Sequence, residues 1–461
     1  MSQTVQQPST LMLGPSTDSN SAHVPGLTPV QCLICAVAAL GFAFDLYEML
    51  VMPVVMRPAL QALGGLEPGS REFNRWVGLL FYVPALTGGA FGLLGAYLTD
   101  LLGRRRVLVW SILLYAGASL GASLSTTVIQ LLVFRSITVV GVAVEYVAAV
   151  AWLAELFIEP KRRESVLAYT QAAAGLGGLM ATGGYYLAVT FAERLPAVAS
   201  AHDPWRYALL FGLVPAIPLI IIRPFLPESP LWRSKRAGDV AARPKFRELF
   251  QPALRKTTFA TTILFACTYG MASGVLLQTP RMVPGLADVR DSSARQVEQI
   301  VGGVQFVGEL GVLAGRLLFA LMVVRIARQQ RLARLFLVPG LVIIPCVYFF
   351  AATHSVRWLT VGIFGVAVLI NGPISLLWNY MPRMYPTRLR ATGEGFAHNV
   401  GSRALGTFAA VLTTQLANSM PGAGAPARLA HSAAIVALSL YAVALIASFA
   451  LREPASDQLP A

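Results

Sequence analysis

Acidic and basic side chains occur inside long apolar segments, and Asp45, Glu48 and Arg135 form the first such group. On a helix, residues three apart share a face, as Asp45 and Glu48 would. An ionisable residue at the depth of lipid hydrocarbon costs about 2.5 kcal/mol or more, so it is a functional candidate. Asp45 would lie about 21 Å along its helix, and Arg135 about 10 Å from the opposite end of its own. The matching depths predict an Asp45–Arg135 ion pair.

Asp45 in such a pair could bind and release a proton. Arg135 would stabilise the ionised form of Asp45 while the two are in contact, whereas burial and the nearby Glu48 would stabilise the protonated form after they separate. We therefore predict that Asp45, Glu48 and Arg135 couple proton movement to a conformational change. The alternative is a static ion pair that only fixes helix packing.

Other polar residues in apolar segments are candidates for contact with a solute. Glu145 could be a gate or a packing partner of a loop arginine, and Glu309 could pair with Arg316 or face a cavity. An arginine one turn beyond a His–Asn pair would suit an anion such as a carboxylate. Each of these side chains could instead form a hydrogen bond to a neighbouring helix, and such a bond contributes about 0.6 kcal/mol. The predicted solute contacts are Glu145, Gln171, Tyr269, Gln278, Glu309, Asn371, Trp378, His398, Asn399 and Arg403.

These residues need long membrane-crossing helices to position them. The chain is 56% hydrophobic and only 13% charged, whereas soluble domains carry about 25% charge. Its apolar runs last about 20 residues, which is the length that crosses a bilayer as a helix. The sequence therefore predicts an all-α membrane protein with twelve transmembrane helices, at 30–56, 76–99, 107–124, 128–155, 165–190, 207–226, 257–280, 300–323, 334–353, 358–381, 393–417 and 429–450.

A polar stretch at about 228–256 divides the helices into six plus six. Two such halves suggest an internal repeat, with the solute site between them. The predicted organisation is a disordered cytosolic tail at 1–28, an N-terminal six-helix bundle at 29–226, a cytosolic loop at 227–256, a C-terminal six-helix bundle at 257–451 and a cytosolic tail at 452–461.

The net charge of +14 would suggest nucleic acid as the partner of a soluble protein. Here the basic residues concentrate in short loops between apolar segments, as in 104–106, 161–163 and 325–334. Such a bias sets the orientation of membrane helices. We expect a multi-pass protein of the cell or inner membrane with both termini in the cytosol, and a lipid bilayer rather than nucleic acid as its surroundings.

The loops on this basic side carry ordered charged motifs. The first reads Gly-Ala-Tyr-Leu-Thr-Asp-Leu-Leu-Gly-Arg-Arg-Arg at 95–106, and others follow the fourth, sixth and tenth segments. A carboxylate at a helix end can hold basic groups and a neighbouring helix terminus, then release them when two bundles rock. The predicted gate residues are Asp100, Gly103, Arg104, Arg105, Glu155, Arg163, Glu228, Arg388 and Arg390.

Taken in order, these motifs resemble the major facilitator superfamily, in the branch of sugar porters, aromatic-acid:proton symporters and sialate or monocarboxylate symporters. The resemblance implies two pseudo-symmetric six-helix bundles and proton-coupled uptake of a small organic solute, an organic anion or a sugar-like metabolite, by alternating access. The C-terminal half departs from the family pattern. It lacks the Asp and Gly of the second loop motif at 324–328, and Arg383 replaces the usual glutamate.

Three alternatives remain at this stage: an exporter of metabolites or drugs, a membrane sensor that keeps the fold without transporting, and a membrane enzyme. The last is disfavoured because no nucleophile–base set, metal cluster or phosphate-binding loop is visible. We therefore expect no cofactor and no metal, a small-molecule substrate and protons as partners, and a monomer.

Overall fold

The computed structural model describes residues 27–67, 70–199, 201–238, 245–326, 328–420 and 424–451. These residues are helical apart from short connections and one isolated bridge between Val198 and Ala201. The prediction of an all-α protein with twelve membrane helices is confirmed. The predicted tails fall almost entirely outside the described residues, as does part of the central loop, and the exact domain limits stay predictions.

The first six membrane helices, labelled α1 to α6, precede the central loop. Two of them are composite: α5 continues through a short 3₁₀ turn, and α6 has two segments followed by a 3₁₀ turn. Their bounds are α1 Pro29–Gly64, α2 Arg71–Leu102, α3 Arg104–Ser123, α4 Val128–Leu156, α5 Pro160–Ala172 with Leu176–Phe191, and α6 Pro204–Phe211 with Leu213–Ile222.

The second six, labelled α7 to α12, follow the loop, which contains a short helix at Pro230–Gly238. A π-helical stretch ends α9, and another interrupts α11 at Asn399–Gly406. Their bounds are α7 Arg255–Gly274, α8 Ala294–Val323, α9 Gln329–Cys346, α10 Val356–Tyr380, α11 Arg390–His398 with Thr407–Ser419, and α12 Ala425–Ser448.

Ten helices of the described residues are long and apolar enough to cross a membrane. The other two membrane helices are α5 and α11, whose continuous pieces are too short for that test because each is broken in its middle. Backbone breaks within membrane helices are tolerated where protein surrounds them. The breaks of α5 and α11 both lie at contacts with the opposite half of the protein.

Local sequence signals set the helix ends. Thr28 caps α1 through the amide of Gln31, whose side chain bonds back to the cap, and Pro29 occupies the first turn. Gly65 ends the helix at φ +59°, a left-handed conformation that favours glycine. The capping box at Ser293 starts α8 in the same way.

Small residues allow helices of the two halves to approach closely. A Cβ added to Gly175 of α5 would lie 2.8 Å from the Cα of Leu313 in α8. A Cβ added to Gly92 of α2 would lie 2.7 Å from the amide oxygen of Asn399 in α11. Glycine at such crossings lets backbones meet. The contacts α5–α8 and α2–α11 thus join the N-terminal and C-terminal halves around a central cavity.

Candidate functional site

A cavity of about 290 Å³ lies between the two halves. Its walls come from α1, α2, α4 and α5 on one side and from α7, α8, α10 and α11 on the other. The wall is mainly apolar, and a few ionisable and polar side chains interrupt it, which is typical of solute sites. They include Asp45, Arg135, Tyr146, Tyr269, Ser273, Glu309, Arg316, Asn371, His398, Ser402 and Arg403.

The buried ion pair of α1 and α4 differs from the predicted one. Arg135 contacts Glu48, with 2.9 Å between Nη1 and Oε2, and it also donates to the Glu48 backbone carbonyl at 2.5 Å. Ser119 donates to the second carboxylate oxygen at 3.0 Å. The predicted Asp45–Arg135 pair is therefore wrong. Asp45 and Glu48 lie within one helical turn, and the rotation of α1 directs Glu48 at α4.

Asp45 is left facing the cavity. The residue is 2% exposed, and among the described residues neither of its carboxylate oxygens has a hydrogen-bond partner. A buried ionised carboxylate without a partner is costly, so a group in this position must gain a proton, a cation or a donor. The cavity wall thus contains an acid whose charge nothing in this conformation compensates directly.

The C-terminal half contributes its own ionisable groups. Glu309 of α8 abuts α5 so closely that a Cβ on Gly178 would overlap its carboxylate. Arg316 lies two turns further along α8 and donates to the Gln171 carbonyl at 3.4 Å. Arg403, in the π-helical stretch of α11, lies beside Gly88 and Gly89 of α2. Hence both cations reach from the C-terminal half to the N-terminal one.

Aromatic rings form the wall of the cavity on one side. The ring centroids of Tyr146 and Trp378 are 4.5 Å apart, and those of Trp378 and His398 are 4.6 Å apart. Tyr269 packs edge-on to His398 at 5.2 Å and accepts a hydrogen bond from the Trp378 indole at 3.3 Å. Tyr146 belongs to the N-terminal half and the others to the C-terminal half, so these rings also bridge the two.

Of the predicted solute contacts, Tyr269, Glu309, Asn371, His398 and Arg403 line the cavity. The other five do not. Trp378 packs within the aromatic group behind the lining residues. Gln278 lies beyond α7, in the 3₁₀ segment Leu276–Arg281, where it bonds the Ser273 carbonyl and Arg281.

Two of the remaining three have identifiable neighbours. Glu145 pairs with Arg223 at the end of α6, with 2.6 Å between the Glu145 Oε1 and the Arg223 Nη2. Gly41 has no side chain and so leaves room for both groups. The Asn399 amide lies against Gly92. Direct solute contact at either position would need a different conformation. The side chain of Gln171 is buried and has no hydrogen-bond partner among the described residues.

Away from the cavity, a set of buried charges joins the halves; we call this end of the bundle the charged end. Asp100, at the end of α2, accepts bonds from the Thr392 amide at 2.8 Å and hydroxyl at 2.7 Å. It also pairs with Arg104 at 3.0 Å. Free backbone amides at a helix N-terminus favour an anion. Asp100 of one half therefore caps α11 of the other.

Glu155 at the end of α4 has two arginine partners. Its Oε1 lies 2.9 Å from Arg104 and 2.5 Å from Arg390, and its Oε2 accepts from the Ser229 hydroxyl. Arg104 also donates to the Thr387 carbonyl at 2.8 Å. Glu155 and Arg390 come from opposite halves, so this charge network is a second contact between them.

Gly103 lets the loop between α2 and α3 turn tightly. Its φ of +106° is one that side chains with a Cβ rarely adopt. Glu228, which begins the central loop, packs against it and accepts from the amides of Arg104 and Arg105, each at 3.1 Å. The indole of Trp232 donates to the Asp100 carbonyl at 2.8 Å. The central loop is thereby held to the start of α3.

The remaining predicted gate residues lie at the same end. Arg163 is buried near the start of α5, whereas Arg388 is half-exposed and pairs with Glu248 of the central loop at 2.5 Å. In the same loop motif, burial raises the pKa of Tyr385 to about 12. Its hydroxyl therefore stays protonated and donates to Thr258 at 3.2 Å.

Sequence reasoning missed three charges. Glu164 forms an ion pair with Arg383 and so joins α5 to the end of α10. Arg223 is the partner of Glu145. Glu394, fully buried in α11, has no hydrogen-bond partner for its carboxylate among the described residues. Glu394 could have been identified from its location in an apolar segment. The Glu164–Arg383 pair could not, because the two residues are far apart in sequence.

The charged end is closed by contacts between the halves, and the cavity lies away from it. Leu80, Phe81, Pro84 and Ala85 of α2 line the cavity, and Asp100 on the same helix is about 22 Å beyond Ala85. The structure therefore represents a conformation sealed at the charged end. Within the described ranges, no group of three or more His, Cys, Asp or Glu residues could hold a metal ion.

Comparisons with known proteins agree with this architecture. The profile of the Major Facilitator Superfamily matches residues 32–411. A probable 4-methylmuconolactone transporter of Cupriavidus pinatubonensis is 26% identical over 78% of each chain. The sialic acid transporter NanX of Escherichia coli is 23% identical over 82% of this chain and 85% of its own.

A solved structure shares the fold. The proton:xylose symporter XylE, bound to 6-bromo-6-deoxy-D-glucose, superposes with a TM-score of 0.70 at 16% identity, over 90% of this chain and 94% of its own. The chain thus belongs to the Major Facilitator Superfamily and is a multi-pass secondary transporter of the membrane. This family transports solutes and is not one of enzymes, so the prediction of a transporter rather than an enzyme is confirmed.

Proposed function

We propose that this protein takes up a small organic anion together with protons, by alternating access, and that Asp45 is a proton site. Sugar-like metabolites were the other substrate class that the sequence left open. Two arginines in the cavity wall, Arg316 and Arg403, favour an anion. The names of the relatives, which include a sialic acid transporter, are compatible with this class.

The observation that carries the proposal is the unpaired Asp45 carboxyl in the cavity. Glu48 occupies Arg135, so Asp45 has no counter-ion at bonding distance within the described part of the chain, in the conformation sealed at the charged end. Proton binding removes the cost of its buried charge. When the halves rock, an arginine that approaches Asp45 would favour its ionised form and release the proton to the other side.

Proteoliposomes with an imposed pH gradient test the proposal. The panel contains sialic acid, 4-methylmuconolactone, cis,cis-muconate, xylose and benzoate, and each compound is assayed for concentrative uptake and for exchange without a gradient. Asp45→Asn should strongly reduce proton-driven accumulation while it retains exchange, because the amide cannot cycle a proton. Glu193→Gln, at an exposed position before α6, is the matched control and should behave as wild type.

Two outcomes contradict the proposal in different ways. Proton-dependent accumulation at the wild-type level by Asp45→Asn would show that Asp45 is not a proton-coupling site. A wild-type protein that moves no solute of the panel in either direction would favour the non-transporting sensor.

A further inference from the structure

Arg316 and Arg403 differ from most buried arginines of this protein. Six others each lie within 4 Å of a carboxylate, namely Arg104, Arg135, Arg206, Arg223, Arg383 and Arg390. Arg316 and Arg403 are only 5% and 9% exposed, and among the described residues neither has a carboxylate within that distance. The Nε of each is buried without a hydrogen-bond partner there. Both line the same cavity.

A buried guanidinium without an anion is costly, because neither water nor a counter-ion replaces the lost hydration. Its planar fork of donors matches a carboxylate. Two such groups in one cavity therefore provide two carboxylate sites. Arg316 is on α8 and Arg403 is in the π-helical stretch of α11, so each of the two sites is provided by a different helix.

The local structure directs both groups at the interface between the halves. π-Helical bulges within α-helices occur frequently at functional sites. Arg403 reaches α2, where a Cβ on Gly88 would lie 3.2 Å from its Nη1. Arg316 reaches α5 through the carbonyl of Gln171. An anion held by either arginine would thus meet both halves.

Charge balance sets the number of protons. Glu48 neutralises Arg135, so the ionisable groups left in the wall are Asp45, Glu309, Arg316 and Arg403, beside Tyr146, Tyr269 and His398. With two bound carboxylates, the arginines are neutralised and the two acids would carry excess negative charge. One proton on each acid removes it. A cavity holding two protons and one dianion is then neutral.

We propose that Arg316 and Arg403 each bind one carboxylate of a dicarboxylate solute, while Asp45 and Glu309 each accept a proton. This inference rests on the proposed function and specifies its substrate class. Two protons and one dianion cross together, so the transported complex carries no net charge.

Binding to the purified full-length protein tests the assignment without any gradient. The probes are trans,trans-muconate, terephthalate and adipate, each compared with its own monoamide, which keeps the shape and removes one carboxylate. At least one dicarboxylate should bind about tenfold or more tightly than its monoamide, since a charge-assisted pair is worth about 1.5–3 kcal/mol. Isothermal titration calorimetry measures both affinities.

Substitutions test whether Arg316 and Arg403 are the groups that bind the two carboxylates. Arg316→Gln and Arg403→Gln should each reduce the preference for the dicarboxylate to about one, because one site is lost in each. Arg316→Lys and Arg403→Lys keep the charge and should retain part of the preference, which guards against a variant that fails to fold. Arg357→Gln, exposed at the start of α10, should leave the preference unchanged.

Failure of this inference is distinguishable from failure of the proposed function. If no dicarboxylate binds more tightly than its monoamide, or if the preference survives both glutamine substitutions, the two-arginine site is wrong, even where proton-driven uptake of another anion is found. If the preference is present but uptake of the dicarboxylate generates a membrane potential, the two-proton balance is wrong.

Discussion

At the scale of single residues, the buried charges divide into those with fixed partners and those that face the cavity. Glu48 and Arg135 are held by each other and by Ser119. Asp45, three residues away, has no such partner among the described residues. A fixed pair beside a free acid gives the two acids of α1 different tasks: Glu48 holds α4, and Asp45 is available for a proton.

The Glu48–Arg135 pair should stabilise the N-terminal half. Glu48→Gln leaves a buried guanidinium uncompensated, so we expect a loss of about 3 kcal/mol or more and a lower thermal midpoint. Thermal unfolding in detergent, followed by tryptophan fluorescence, measures it. The double variant Glu48→Gln with Arg135→Gln should recover part of the loss because no charge remains unpaired. An unchanged midpoint in the single variant would contradict this role.

At the scale of helices, α5 and α8 cross where glycine removes the side chain. Gly175 meets the backbone of Leu313, and Gly178 meets the carboxylate of Glu309. The break in α5 and the π-helical stretch in α11 lie at such crossings. The interruptions of α5 and α11 thus lie where these two helices contact the opposite half and shape the cavity.

The α5–α8 crossing should not tolerate a methyl group. Gly175→Ala places a Cβ 2.8 Å from the Leu313 backbone, so the helices must separate, at a cost of about 1–3 kcal/mol. We expect a lower thermal midpoint and slower solute exchange in proteoliposomes. Gly183→Ala, on the same helix, meets nothing within 4 Å and is the control. Equal effects of the two substitutions would show that close packing at Gly175 is not required.

At the scale of the whole molecule, the contacts that seal the charged end include Asp100 on Thr392, Glu155 on Arg390, and Glu164 on Arg383. Each joins the N-terminal half to the C-terminal half. They are made of bonds that can break without unfolding either half, as rigid-body rocking requires. The gate role of these residues is our prediction, and it concerns the balance between two conformations.

Weakening the seal should open the charged end. Asp100→Asn with Arg383→Gln removes charge-assisted bonds worth about 1.5–3 kcal/mol each, which favours the conformation open at this end. Spin labels at the exposed positions of Ile158 and Lys256, in a background with the native cysteines replaced, report the separation of the halves. Pulsed electron paramagnetic resonance should then show an additional population with a longer distance between the two labels. A distance distribution identical to that of the unsubstituted pair would contradict the gate.

Much of the architecture could be predicted from the sequence because it follows from local rules. Apolar runs of about 20 residues, loop arginines and helix caps act over short stretches of chain, so the twelve helices and their family could be recognised. Ionisable residues in those runs were likewise visible, including Asp45, Glu48 and Arg135.

Only the tertiary structure decides which acidic residue pairs with which arginine. Asp45 and Glu48 differ in depth by about 4.5 Å, whereas an error of two residues at a helix end already shifts depth by about 3 Å. Helix rotation, set by packing of α1 against α4, α5 and α6, directs Glu48 to Arg135 and leaves Asp45 in the cavity. How the two halves meet decides the Glu164–Arg383 pair and the shared cavity of Arg316 and Arg403. These residues are far apart in sequence, so no local pattern indicates that they come together.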